Sequence, residues 1–223
     1  MRRPITISSK PTFLRLYKAL YKAFGPQQWW PGETPFEIVV GAILTQNTNW
    51  RNVNNAIQKI KQAGLMDPMK LHAHYRRIPA LIRTAGFYRS KAKCLRAFLK
   101  YYIEKYGART EAFAKKGTRA IRKELLSIRG IGPETADSIL LYALRRRVFV
   151  IDAYTRRILS RHDIIEHDLP YDVLQQTIQK NLPASRKIYN EYHALLVRTG
   201  KEFCKKNEPL CNACPLGTML PRA

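Results

Sequence analysis

Four groups of residues in this 223-residue chain have the types and spacing to do chemistry. Asp152 ends an apolar run, Val148-Phe149-Val150-Ile151, so a carboxylate is carried out of a solvent-poor segment to the mouth of the next helix. An acid so placed can stabilise a developing cation or take a proton from water. Its plainer role is a helix N-cap, since Ala-Tyr-Thr follows. Upstream, Gly130-Ile131-Gly132-Pro133 can turn tightly and then start a helix, because glycine carries no β-carbon and proline suits the first helical position. Unpaired N–H groups at that helix start, with the positive end of its dipole, suit a phosphate. Three cysteines, Cys204, Cys211 and Cys214, crowd the tail and point to metal or cluster chemistry. The tryptophans, Trp29, Trp30 and Trp50, fall in two short stretches.

The elements that must position these groups read as helices. Residues 11–24 carry Phe13, Leu14, Tyr17, Leu20, Tyr21 and Phe24 at helical spacing and stop at Gly25-Pro26. An apolar helix from Pro35 leads to the polar cluster Thr45-Gln46-Asn47-Thr48-Asn49-Trp50, and a second helix follows through Val53, Ile57 and Ile60. Helices are expected near 92–105, where Cys94 holds a core-like position, at 118–126 entering the glycine turn, and near 153–161, 170–180 and 184–199. Almost nothing reads as sheet, and no repeat is evident.

Composition narrows the partner. Lys and Arg number 40 against 16 Asp and Glu, a formal +24, which attracts polyanions and makes their binding salt-dependent. A hydrophobic content of 45% is enough for a real core. No run of apolar residues is long enough to span a bilayer, and Met1-Arg2-Arg3-Pro4 lacks the apolar core of a signal peptide. A cytoplasmic protein with a nucleic-acid partner is expected; an anionic membrane surface or ribosomal RNA would satisfy the charge alone.

The glycine hairpin between helices, followed by Asp152, resembles the endonuclease III or helix–hairpin–helix superfamily of DNA base-excision glycosylases. The resemblance spans about residues 29 to 214. It implies a monomer whose partner is double-stranded DNA and no membrane, with a nucleoid location if bacterial. It implies an all-α, two-lobed fold with a central DNA- and base-binding cleft: a six-helix lobe at 33–148, and a second lobe from 1–32 and 149–223 with a Cys-rich tail at 204–223. It implies that Asp152 is the catalytic acid and that Arg129, Gly130, Ile131 and Gly132 hold the DNA backbone. It places Gln46, in Leu-Thr-Gln-Asn-Thr, in the DNA stack, and Phe87, in Gly-Phe-Tyr-Arg, as an apolar wedge. The alternative for Phe87 is a staple of the following helix to the core.

Bifunctional members carry a lysine nucleophile after their glycine hairpin. Aligned on Gly130-Ile131-Gly132-Pro133, that place holds Glu134, and a carboxylate cannot form a Schiff base. The resemblance therefore implies a monofunctional enzyme that flips the base out and uses water. Trp-Trp-Pro, Leu-Thr-Gln-Asn-Thr and Gly-Ile-Gly-x-Glu resemble the 3-methyladenine DNA glycosylase III branch, in which Trp29, Trp30, Pro31, Trp50 and Glu134 would form the base pocket. Cationic alkylated purines stack well between aromatic rings. The tryptophans could instead pack the lobes, and Glu134 could simply favour a helix start.

In the superfamily's 4Fe–4S loop a fourth cysteine follows Cys204, Cys211 and Cys214, and here that place holds Leu220. Three of the four expected cysteines imply a 4Fe–4S cluster held weakly, another group recruited in its place, or a relic of the site, without help from Cys94 in the other lobe. Two alternatives stay open: an endonuclease III-like glycosylase and AP lyase for oxidised pyrimidines or mismatches, and a non-catalytic helix–hairpin–helix DNA-binding protein.

Overall fold

The structure is a computed structural model that describes residues 10–166 and 168–220; the N-terminal tetrapeptide and the ends of the expected second lobe at 1–9 and 221–223 lie outside the described residues. Those described are helical, with no strand among them. The chain divides into two compact units, Trp30–Arg146 and the combination of Met1–Trp29 with Arg147–Ala223, so the division falls between the adjacent tryptophans.

The continuous unit is built around α2 (Pro35–Leu44), started by proline and capped by Thr34, whose hydroxyl accepts from Glu37 N at 3.1 Å. Phe36, Val39, Val40, Ala42, Ile43 and Leu44 are all buried, so the helix is apolar nearly all round and must be central. Around it pack α3 (Trp50–Gln62), capped by Asn49, and α6 (Tyr88–Tyr106), with α4 (Pro68–Ala73) and α5 (Ile78–Leu81) between them in sequence. α3 buries Val53, Ala56, Ile57 and Ile60, one stripe at helical spacing. α7 (Thr118–Leu126) and α8 (Pro133–Ser138) flank the glycine turn, and α8 runs on into a π-helical turn over Ile139–Ala143. Buried Asp137 of α8 accepts from Arg122 of α7 at 2.7 and 3.1 Å, which locks the helix pair.

Glu124 of α7 is a second lock. It accepts from the hydroxyls of Tyr101 and Tyr106 at 2.9 and 2.5 Å and pairs with Lys105 and Lys116 at 2.7 and 2.6 Å. Burial pushes its carboxyl up, but these four donors outweigh that and hold its pKa at about 2, down from 4.5. A carboxylate depressed on folding stabilises the protein above its unfolded pKa, and that contribution is lost as pH falls through the folded value. Stability should therefore decline between about pH 4.5 and pH 2, and Glu124→Gln, less stable at neutral pH, should show a shallower decline in urea titrations across that range.

In the discontinuous unit, α1 (Lys10–Phe24) and α9 (Ala153–Arg161) pack on α11 (Arg186–Glu202), and α1 also meets α10 (Tyr171–Asn181). Residues 148–151 are buried outside any helix or sheet, so their backbone groups need other partners. α10 supplies them: Gln179 Oε1 accepts from Phe149 N at 2.9 Å, Gln175 Nε2 donates to Phe149 O at 2.6 Å, and the Tyr171 hydroxyl accepts from Ile151 N at 3.3 Å. That scaffold delivers Asp152.

Candidate active site

Asp152 fills the N-cap role its sequence position suggests, and its second oxygen faces α11. As N-cap of α9 it accepts from Thr155 N through Oδ1 at 2.7 Å, while Oδ2 lies 3.5 Å from Nε2 of His193 on α11. Burial raises its pKa, but His193 and the Thr155 donors outweigh burial and hold it below the usual carboxylate value. The close approach of α9 and α11 depends on Gly200, where any β-carbon would run into the Tyr154 ring. Lys201, two helical turns beyond His193, lies with its ammonium 5.7 Å from the centre of the Trp29 ring. Burial lowers its pKa and the charge of Asp152 pulls it partly back. Asp152, His193, Lys201 and Trp29 thus belong to one unit. Sequence reasoning missed His193 and Lys201; their spacing on one helix face was the available signal, but nothing in sequence paired that face with Asp152.

The other two tryptophans belong to the continuous unit. Trp30 meets Trp50 edge-on, with ring centres 5.3 Å apart at 90°, and leans on Tyr142 at 5.0 Å. Gly41 makes room for it: a β-carbon there would stand 3.3 Å from the Trp30 indole nitrogen. Trp50 is the first residue of α3 rather than part of the loop. Tyr142 is itself buried. Pro31 is exposed, as is Glu134 in the first turn of α8.

The hairpin separates its two glycines. Gly130 has φ +94° and packs so tightly on Cys94 of α6 that a β-carbon would come within 2.9 Å of the cysteine Cβ; Gly132 has φ −90° and open space. Ile131 is buried and its N–H donates to Ile128 O at 3.0 Å, so it anchors the turn while Arg129, Gly130 and Gly132 face solvent. Burial pushes the Cys94 thiol up to about 11. Gln46 is tied to the same hairpin, its amide donating to Gly130 O at 2.9 Å and Thr135 Oγ1 at 3.0 Å. Asn47, next to it, is exposed with φ +50°, and Phe87 has φ +45° and is 71% exposed. Beneath both loops Lys91 is buried and donates to Leu44 O at 2.8 Å and Ala85 O at 2.6 Å; burial lowers its pKa to about 8.

In the tail, Cys204, Cys211 and Cys214 line one cavity, and Leu220 lines it too where a fourth thiol is expected. Arg157 donates to Cys204 O at 2.8 Å, and Arg161 to Lys205 O and Lys206 O at 2.6 and 2.7 Å, so two guanidiniums hold the loop. Among the described residues, no group of three or more Cys, His, Asp or Glu side chains is placed to hold one metal ion. No described helix is long and apolar enough to cross a membrane.

A family model described as HhH-GPD superfamily base excision DNA repair protein matches residues 40–184. A protein of Methanocaldococcus jannaschii, named provisionally as a DNA repair glycosylase, is 50% identical over 205 residues, covering 91% of this chain and 92% of that one. Endonuclease III of Sulfolobus acidocaldarius is 30% identical, covering 80% and 78%. Among solved structures, a non-covalent endonuclease III–DNA complex superposes with TM-score 0.81 at 21% identity over 96% of each chain. H. pylori 3-methyladenine DNA glycosylase bound to 1,N6-ethenoadenine superposes with TM-score 0.75 at 27% identity, over 87% of this chain and 98% of that one.

Proposed function

The chain belongs to the HhH-GPD superfamily of base excision DNA repair proteins, and from that premise we propose that it is a monofunctional DNA N-glycosylase removing alkylated purines, 3-methyladenine first, from duplex DNA. The observation that carries this reading is Asp152, a largely enclosed carboxylate with a lowered pKa, one oxygen committed to the α9 cap and the other turned toward His193. As the N-glycosidic bond breaks, its electron pair leaves with the base and positive charge grows on the sugar. The Asp152 oxygen that faces His193 stabilises that charge and orients a water, whose oxygen bonds the sugar carbon while its proton passes to the carboxylate.

Trp30 and Trp50 supply aromatic faces for an electron-poor, cationic ring, with Trp29, Pro31 and Glu134 as the remaining base-binding residues. The relative solved with 1,N6-ethenoadenine supports a modified purine. Arg129 and the hairpin glycines hold phosphates, and Phe87 unstacks the duplex. Gln46 enters the stack only by giving up its two bonds to the hairpin region. An iron–sulfur cluster bound at the tail cysteines would brace the loop carrying Lys205 and Lys206 against a phosphate, and it takes no part in bond cleavage.

Lys201 favours a second reading. An amine with a lowered pKa, in the field of the Asp152 carboxylate, is suited to attack the sugar and nick the strand. One assay separates the readings. With methylated duplex DNA, released 3-methyladenine with an intact strand is the expected result. Strand nicking with a borohydride-trapped adduct, both abolished by Lys201→Ala, would establish the second reading, and release of no base with retained DNA binding would leave a DNA-binding protein.

A further inference from the structure

Asp152 is asked to do two things that conflict. It must hold negative charge against the sugar cation, and it must take the water's proton, which would cancel that charge. The departing base offers no way out. A purine alkylated on a ring nitrogen is a cation while attached to the sugar, so it leaves neutral and has no need of a proton.

We propose that His193 acts through Asp152 as a positioning residue, holding Oδ2 in place and taking from it the proton that the water releases. This rests on the glycosylase reading above and adds where the proton goes. As the water oxygen bonds the sugar carbon, its O–H bond breaks and the proton reaches Oδ2. The bond to Oδ2 then breaks in turn, its electron pair stays on the carboxylate, and an N–H bond forms at Nε2 of the neutral imidazole. The carboxylate keeps its charge through the step, and the imidazolium later gives the proton to solvent. Nothing is oxidised or reduced.

The geometry divides the two oxygens accordingly. Oδ1 is committed to Thr155 N at 2.7 Å, which leaves Oδ2, 3.5 Å from His193 Nε2. That gap is longer than a hydrogen bond, and acid–base contacts in enzymes without substrate commonly close only in the reacting complex. The imidazole is 4% exposed and stands edge-on to Phe149, with ring centres 6.4 Å apart at 89°. Gln175 and Gln179 fix Phe149 by its backbone, so the segment that delivers Asp152 also sets the imidazole against it. Lys201 cannot take this part as an ammonium, which has no lone pair, and its head lies 5.7 Å from the centre of the Trp29 ring.

The test follows single-turnover release of 3-methyladenine from methylated duplex DNA by the full chain, beside DNA affinity. His193→Gln, whose amide can donate to Oδ2 but takes no proton, should bind DNA as wild type does and release base about a hundredfold more slowly. His193→Ala should be at least as slow, and added imidazole should restore its release, a rescue that a packing role does not give. The same imidazole should leave wild type unchanged. A His193→Gln enzyme with the wild-type rate, or a slow His193→Ala enzyme that imidazole does not restore, would overturn the relay and leave Asp152 in its role. No release by wild type would instead overturn the glycosylase reading, and the relay with it.

Discussion

Asp152→Asn is expected to slow base release by about two to four orders of magnitude while leaving affinity for duplex DNA unchanged. The substitution isolates charge, because asparagine caps a helix as well as aspartate and can still accept from Thr155 N. What disappears is the negative oxygen facing the sugar cation and the acceptor for the water's proton. The depressed pKa fixes the pH behaviour. The working form is the carboxylate, so the Asp152 contribution to rate persists through the ordinary carboxylate range and falls only below it; loss of activity at higher pH belongs to another group. The same depression contributes stability that is present above the unfolded pKa and lost as pH falls through the folded one, and the asparagine variant lacks that contribution. Single-turnover release measured beside DNA binding decides the matter, and an asparagine variant with wild-type rates would remove Asp152 from the chemistry.

Gly130→Ala and Gly132→Ala should differ sharply although both glycines share one motif. At Gly130 an L-residue meets two costs: a left-handed backbone with φ +94°, and a β-carbon 2.9 Å from the Cys94 Cβ. Strain of that kind costs about 1–3 kcal/mol, and forcing α6 and the hairpin apart adds about as much again. Because the carbonyl of Gly130 also holds Gln46, the shift spreads to the neighbouring loop. We expect Gly130→Ala to unfold at distinctly lower denaturant and to bind duplex DNA at least about tenfold more weakly. Gly132→Ala, with φ −90° and nothing within 4 Å, should unfold within about 1 kcal/mol of wild type once glycine's entropic cost is counted. Equal losses in the two variants would mean that the hairpin tolerates or resents any side chain regardless of geometry.

That contrast shows what the sequence made legible. A glycine pair before proline announces a turn and a helix start, but which glycine is obligatory depends on Cys94, far away in the chain. Helix positions were readable because apolar spacing is a local property: Val53, Ile57 and Ile60 mark the buried face of α3 without reference to anything else. The placement of Cys94 in the core followed from the same rule. Asp152 stood out because an apolar run ending in an acid before a helix is also local. His193 and Lys201 did not, since their significance comes from α11 lying against α9, and Gly200 makes that approach feasible in a way no pattern announces. The amides of Gln175 and Gln179 were equally silent, though without them the segment before Asp152 would bury unpaired backbone.

Lys91 carries an implication for redesign. One ammonium holds the carbonyl at the end of α2 and the carbonyl just before Gly86, so the Gln46 loop and the Phe87 loop hang from a shared pin. Neither loop is an independent module. Grafting a relative's loop into this chain to alter its choice of lesion would have to transplant both loops and the lysine as a single cassette, and sequence variation in one loop should track variation in the other across the superfamily.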